Sequence, residues 1–372
     1  MAEPVAKKAM KRKQAQTWNF SKKHKALCLL LMALFCLFGS RGEAGRDALF
    51  GDLPDAVRSI DQALMDVGAT ERFGNLIDAL SSRIASESSV SGIAPGGFSY
   101  EIGPLGLPTK TSTSLGTIWT HGAHPLGSER LSLGVAYTDL RFDRFDGRRL
   151  DDFLDFSESS PPVDIDLELR TRILGLSALY GVSDAWEIGL FVPFVAHRSR
   201  GDIYLGNRWV GDADGDTEGL GDLMLLTKYR LAGDRDWAFS VAGRLKLPTG
   251  DEDRYLGTGE TDVWIQALLT RRMGNLEANL DVGYIWSGLG RDYDSFNYRA
   301  GIAYGLTDRI TVVGELAGSH SEESIFDTLD AGAGVKWNPA GGLVIQGGVR
   351  FPVDDNGLRA EWTPTVGVEW RF

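Results

Sequence analysis

Leu276-Glu277-Ala278-Asn279-Leu280-Asp281-Val282-Gly283-Tyr284-Ile285-Trp286 sets apolar residues at alternate positions, with Glu277, Asn279, Asp281 and Gly283 between them. A period of two places the two sets on opposite faces of an extended strand, one face apolar and the other bearing carboxylates and an amide. The pattern recurs on both sides of this stretch. Ile310, Val312, Gly314 and Leu316 alternate with Thr311, Val313, Glu315 and Ala317, and Leu329, Ala331, Ala333, Val335 and Trp337 alternate with Asp330, Gly332, Gly334 and Lys336. Twelve such segments are predicted: 131–144, 163–180, 186–196, 219–230, 237–247, 258–270, 275–286, 295–305, 310–319, 326–337, 342–352 and 360–372. Twelve is even, which lets both ends of a single-chain barrel lie on one side of a membrane.

The connections alternate in length. Gly181 to Ala185, Leu231 to Asp236, Arg271 to Gly274, Leu306 to Arg309 and Asn338 to Gly341 are short, whereas 145–162, 197–218, 248–257 and 287–294 are longer. A secreted β-sandwich has no reason to sort loop length by side, but a membrane barrel pairs short periplasmic turns with longer external loops. Trp186, Trp237, Trp286, Trp337, Trp370, Tyr229 and Tyr304 stand near segment ends, where two interfacial girdles belong. The expected fold is therefore all-β, a transmembrane antiparallel β-barrel of about 12 strands preceded by a short helical periplasmic segment.

Composition fits this once it is divided along the chain. The 372 residues are 43% hydrophobic and 24% charged, with 46 Gly, 2 Cys and a formal charge of −12, so a nucleic-acid partner, which needs a basic face, is excluded. Lys7, Lys8, Lys11, Arg12, Lys13, Lys22, Lys23 and Lys25 precede the apolar run Ala26 to Phe38, the form of a signal peptide, and cleavage is placed after Ala44. A single anchoring helix is the alternative. Without residues 1–44 the chain keeps 30 basic against 49 acidic residues, a charge of −19, and loses Cys28 and Cys36.

Four regions result: signal peptide 1–44, helical periplasmic segment 45–90, Gly/Pro/Ser-rich linker 91–124 and barrel 125–372. Leu49, Leu53, Val57, Ile60, Leu64 and Val67, then Phe73, Leu76, Ile77, Leu80 and Ile84, recur at helical spacing, and their mixed polar faces predict a solvated hairpin. A short coiled coil that assembles a homo-oligomer is the alternative.

If the apolar faces meet lipid, the lumen receives Glu187, Asp222, Lys228, Arg244, Lys246, Gln266, Glu277, Asn279, Asp281, Arg299, Glu315, Asp330, Lys336, Gln346, Arg350, Glu369 and Arg371. A twelve-stranded barrel is roughly 25 Å across its backbone, which leaves a bore of order 10 Å. Polar side chains left unpaired in that bore would favour transport. A bore filled by paired charges would favour a structural or adhesive barrel with a closed lumen. At the C terminus, Val366, Val368, Trp370 and Phe372 occupy alternate positions and resemble the terminal-strand signal through which assembly machinery recognises bacterial outer-membrane barrels.

Candidate chemistry is sparse. His121 and His124 lack a third metal ligand at recognisable spacing. His197 and His320 lie at strand ends, with Ser319 and Ser321 beside the latter, the minimum from which an outer-membrane hydrolase is conceivable. Asp212, Asp214, Asp216 and Glu218 offer alternating carboxylates to calcium, but Thr217 stands where an EF-hand loop has glycine. No cofactor and no enzyme activity are expected.

Gly219-Leu220-Gly221-Asp222-Leu223, Leu245-Lys246-Leu247-Pro248-Thr249-Gly250-Asp251 and Gly257-Thr258-Gly259-Glu260-Thr261-Asp262-Val263, in this order, resemble the meta-pathway phenol-degradation family of outer-membrane barrels. The likeness spans roughly residues 113 to 372 and leaves out 48–88. It implies an outer-membrane transporter for small hydrophobic or aromatic compounds, with outer-membrane lipid and the barrel-assembly machinery as partners.

Overall fold

The computed structural model describes residues 100–102, 108–110 and 114–372, except 151–162, 206–207, 213 and 322–326, together with scattered positions between Leu49 and Arg83. The signal-peptide assignment for 1–44 lies outside the described residues.

Twelve strands run in chain order around one sheet: β1 Leu131–Phe145, β2 Val163–Gly181, β3 Trp186–Leu205, β4 Leu223–Gly233, β5 Trp237–Leu247, β6 Asp262–Met273, β7 Leu276–Trp286, β8 Ser295–Gly305, β9 Ile310–Ser321, β10 Thr328–Ala340, β11 Leu343–Pro352 and β12 Thr363–Arg371. Each pairs antiparallel with its neighbour, and β12 pairs back onto β1 from Arg371 with Ser132 to Thr365 with Thr138. The twelve strands thus close on themselves as a barrel. At its seam the Phe372 amide donates to the Leu131 carbonyl at 2.8 Å.

The phase of each strand sorts its side chains. Leu280, Ile265, Ile302, Leu316, Val335 and Val366 point outward and are exposed, while Lys336, Glu277 and Asp281 point inward and are buried. An exposed apolar surface over a buried charged one inverts the soluble pattern and suits lipid outside a polar lumen. Trp186, Tyr229, Tyr304, Trp337 and Trp370 ring the short-turn end, and Trp286, Phe296, Phe351 and Trp362 the long-loop end. In the turn after β4, the Asp234 carboxylate accepts the amides of Asp236 and Trp237, bonds that hold its carboxyl below the usual range.

Two segments depart from expectation. β3 continues to Leu205, past the expected end at 196, and strands Arg208–Asp212 and Gly215–Leu220 pair back onto it, so 197–218 is mostly a hairpin extension. Beyond lipid the outward face need not be apolar, and the alternation lapses although the strand does not. The other departure concerns the helical region. Its described residues are helical, but Leu49, Val57, Leu76, Ala79 and Leu80 are buried in one cluster with Leu140, Phe142, Ile165, Leu167, Leu169 and Ile173 on the inner faces of β1 and β2. Arg83 reaches Asp330 of β10 at 3.0 Å. The solvated periplasmic hairpin is corrected on these residues: an apolar helical stripe is buried against the apolar inner wall at the long-loop end.

Replacement of the outward, mid-strand Leu280 by Arg is predicted to destabilise the barrel by about 2–4 kcal/mol, read from reversible unfolding out of lipid vesicles. A loss below that range would place Leu280 away from the middle of the lipid belt.

Candidate functional site

The expected lumenal side chains lie inside the barrel, and most charges there meet a partner. Lys228 and Glu187 are 2.8 Å apart, Arg272 and Glu277 3.0 Å, Arg371 and Glu369 2.7 Å, and Arg299 and Asp281 3.5 Å. Asp330 lies within 3.6 Å of Arg83, Arg350 and Arg359. Gln266 donates to Asp281 at 2.9 Å, and Asn279 to Glu277 at 3.1 Å. Pairing at this density offsets the desolvation of ions brought together in a narrow space.

The bore itself is filled by the chain. Residues 114–126, whose stretch 114–124 is expected as the end of a linker, run through the lumen and are buried along most of their length. Glu315 anchors the segment: its carboxylate accepts the amides of Ile118 at 2.6 Å, Trp119 at 3.1 Å and Thr120 at 2.6 Å, and the Thr120 hydroxyl at 2.7 Å. Lys336 donates to the Thr117 carbonyl at 2.8 Å, and Lys228 to the carbonyls of Gly122 at 3.0 Å and His124 at 3.1 Å. The Leu126 amide ends on Glu187 at 2.8 Å. Cationic side chains thus hold carbonyls and carboxylates hold amides, so the unpaired backbone of a non-regular segment is satisfied from the wall.

Trp119 is the side-chain wedge of this segment. It lies 5.6 Å from the Arg350 guanidinium, and any β-carbon at Gly332 or Gly348 would come within 2.6 or 2.7 Å of its ring. Glycine at these two inward positions leaves room for the indole. Sequence reasoning missed the segment because 114–126 has no periodicity. The available signal was the pair of inward glycines in strands otherwise carrying large lumenal side chains.

Beside the segment lies a small cleft open to the lumen. Leu179, Phe191, Met224, Leu226 and Leu268 make its apolar wall, and His121, Arg244, Lys228 and Glu187 its polar edge. Arg244 donates to the His121 ring at 3.0 Å and lies 5.1 Å from the Trp264 ring centre. Among the described residues, Trp119 Nε1, Trp264 Nε1, Gln266 Oε1 and Gln346 Oε1 are buried without a hydrogen-bond partner.

The three motifs that carry the family resemblance meet at the long-loop end. Asp222 accepts the amides of Gly250 at 2.9 Å and Thr258 at 3.0 Å, while Lys246 bridges Asp262 at 2.6 Å and Asp222 at 3.7 Å. The knot folds the loop between β5 and β6 so that Leu256 is buried and Tyr255 packs on the helical cluster. His197 supports it, bonding Thr171 and the Tyr255 carbonyl.

The remaining chemical candidates do not converge. His320 pairs with Asp327 at 2.8 Å, but the Ser321 hydroxyl donates to that same carboxylate and the Ser319 hydroxyl pairs with Thr328. Asp214, Asp216 and Glu218 are exposed, the side chain of Asp212 lies outside the described residues, and no group able to hold a metal occurs among the described residues.

A closed barrel with a lipid-facing belt and an ionic lumen defines the class of transmembrane β-barrels. The family model described as "Putative MetA-pathway of phenol degradation" matches residues 169–370, more than half of the chain, and the chain belongs to that family. No curated protein matches it. Among solved structures it is similar to an outer membrane channel from Pseudomonas putida F1, at 18% identity and TM-score 0.49 over 67% of this chain and 98% of that one. The toluene transporter TbuX of Ralstonia pickettii is 11% identical, with TM-score 0.38 over 66% and 90%. The KdgM porin with disordered oligogalacturonate is 10% identical, with TM-score 0.38 over 63% and 99%.

Glu315→Ala strands three amides of the lumenal segment and is predicted to loosen it. With Cys28 and Cys36 replaced by Ser, a cysteine at Thr117 should react with a membrane-impermeant maleimide at least about tenfold faster in the Glu315→Ala background. Equal rates would mean that Glu315 does not hold the segment.

Proposed function

We propose that the chain is an outer-membrane channel for small hydrophobic or aromatic solutes by passive diffusion, occluded at rest by residues 114–126. It acts as a conduit and not as an enzyme. The supporting observation is the combination of an occluding segment anchored by hydrogen bonds with buried, unused hydrogen-bonding groups around it. Such anchors can be exchanged for water, and release of the segment also uncovers Leu115, Ile118 and Trp119, apolar side chains that an apolar solute can contact in turn. The cavity between Phe191, Met224, Leu226 and Leu268 offers an apolar solute a surface beside the ionic wall.

Export by a cleaved signal at 1–44 and recognition of Val366, Val368, Trp370 and Phe372 by the assembly machinery belong to the same reading. These four side chains point outward and are exposed, within reach of another protein before lipid surrounds them. The short-turn end then faces the periplasm and the long-loop end the exterior.

A second reading is a structural or adhesive barrel with a closed lumen. The paired lumenal charges favour it. Current through planar bilayers separates the two: the channel reading predicts rare openings for the parent protein and at least about tenfold higher open probability for Glu315→Ala. Toluene or phenol should enter proteoliposomes faster in the same variant. Silent bilayers and unchanged uptake for both proteins would leave the closed barrel.

A further inference from the structure

The outward face of β1, β2 and β3 changes character abruptly at the long-loop end. Its cross-strand rows are apolar as far as Tyr137, Leu174 and Phe194. The next row holds Asp139, Arg172 and Ala196, and the one after it Arg141, Arg170 and Arg198 in direct register. Arg200 and Glu168 follow one row further out, and Asp166 and Asp202 face each other in the row beyond them. Arginines directly opposite one another on adjacent strands repel, since cross-strand β-carbons lie about 5 Å apart.

Acidic neighbours answer part of this charge. Asp139 takes two bonds from Arg170, the shorter-range of which fixes the guanidinium against it, and Glu168 lies 3.9 Å from Arg141. Asp216 stands in register with Arg198 without an ion pair between them. Arg172, Arg198 and Arg200 are exposed and make no ion pair among the described residues. Among the described residues no other strand repeats the arrangement. The outward positions at the same end of the rest of the wall hold Leu225, Leu245, Val263, Trp286, Phe296, His320, Leu329, Phe351 and Pro364, with no Lys or Arg.

The height of the row matters as much as its charge. Four apolar rows separate it from the short-turn end, about the 25 Å of a barrel's apolar band. The arginines therefore sit where hydrocarbon gives way to headgroups. Past them β2 and β3 continue as a paired ribbon to Val163 and Leu205, about 20 Å of strand. A polar wall of that length faces a deep headgroup layer, such as one of sugars, better than a thin phospholipid surface.

We propose that Arg172, Arg198 and Arg200, with Arg141 and Arg170 beside them, form a docking surface for the phosphates of an anionic glycolipid in the outer leaflet. Guanidinium groups bind phosphate oxygens bidentately, and a shared phosphate removes the repulsion along the row. The proposal rests on the outer-membrane placement and not on conduction. A barrel that binds the glycolipid and passes no current loses only its channel reading.

The test uses the full-length protein in discs of a neutral phospholipid, titrated with bisphosphorylated lipid A, its dephosphorylated form or phosphatidylglycerol, with bound lipid counted by native mass spectrometry. The parent protein is expected to bind the bisphosphorylated form at least about tenfold tighter than either control. Arg172→Ser/Arg198→Ser/Arg200→Ser should abolish that preference and keep the heat-modifiable gel mobility of a folded barrel. Arg271→Ser, an outward change at the short-turn end, should leave the preference intact. Equal binding of the three lipids by the parent, or an unchanged preference in the folded triple variant, would overturn the proposal.

Discussion

Within hydrocarbon no water is present to pair with a backbone amide or carbonyl, so each strand must find both neighbours inside the chain. The pairing of Ser132–Thr138 with Thr365–Arg371 meets this condition and joins the last strand to the first. Much of the remaining architecture follows from that seam. Antiparallel closure demands an even strand number and brings both barrel ends to the short-turn side. It also fixes a lumen wider than the wall's own side chains fill, and residues 114–126 with the described helical residues occupy the difference.

The alternation read from Leu276–Trp286 reports on lipid before it reports on strand. Where a segment lies wholly between the two girdles, expected and observed limits coincide, as in 237–247 and 295–305. Where a strand leaves the membrane the signal fails. β3 carries Arg198, Arg200 and Asp202 outward beyond Ala196, and nothing in that stretch alternates by polarity, yet its hydrogen bonding to β2 continues unbroken to Leu205. The lumenal residues were legible as a set because they are the complement of the apolar face. Their partners were not, since cross-strand neighbours depend on register, which the sequence pattern leaves open by steps of two.

The lumenal segment was illegible for a different reason. Its bonds connect residues nearly 200 positions apart, Ile118 and Thr120 with Glu315, and use backbone amides that every residue type supplies. A motif search has no purchase on such contacts. The family motifs pose the converse case: Gly219–Leu223, Leu245–Asp251 and Gly257–Val263 are recognisable in sequence, yet their role appears only when Asp222, Lys246 and Asp262 are seen tying the loop between β5 and β6 to the wall.

Two closures of different chemistry therefore lie in series. The mouth is shut by an apolar cluster that includes Leu49, Val57, Leu76, Leu80, Ile165, Leu167 and Leu169. Opening it exposes hydrophobic area, at about 25 cal/mol per Å². The bore is shut by hydrogen bonds from Glu315, Lys336 and Lys228 to backbone groups, each worth about 1.5–3 kcal/mol because one partner is charged, and by the burial of Ile118 and Trp119. An apolar solute acts oppositely on the two. It replaces lost contacts in the mouth cluster and so lowers the cost of opening there, but it offers nothing to the amides released from Glu315, which only water or a polar substituent satisfies. On the channel reading, a solute suited to both barriers has an apolar body and a hydrogen-bonding group, which is also the division of the cavity beside Phe191, Met224, Arg244 and Lys228.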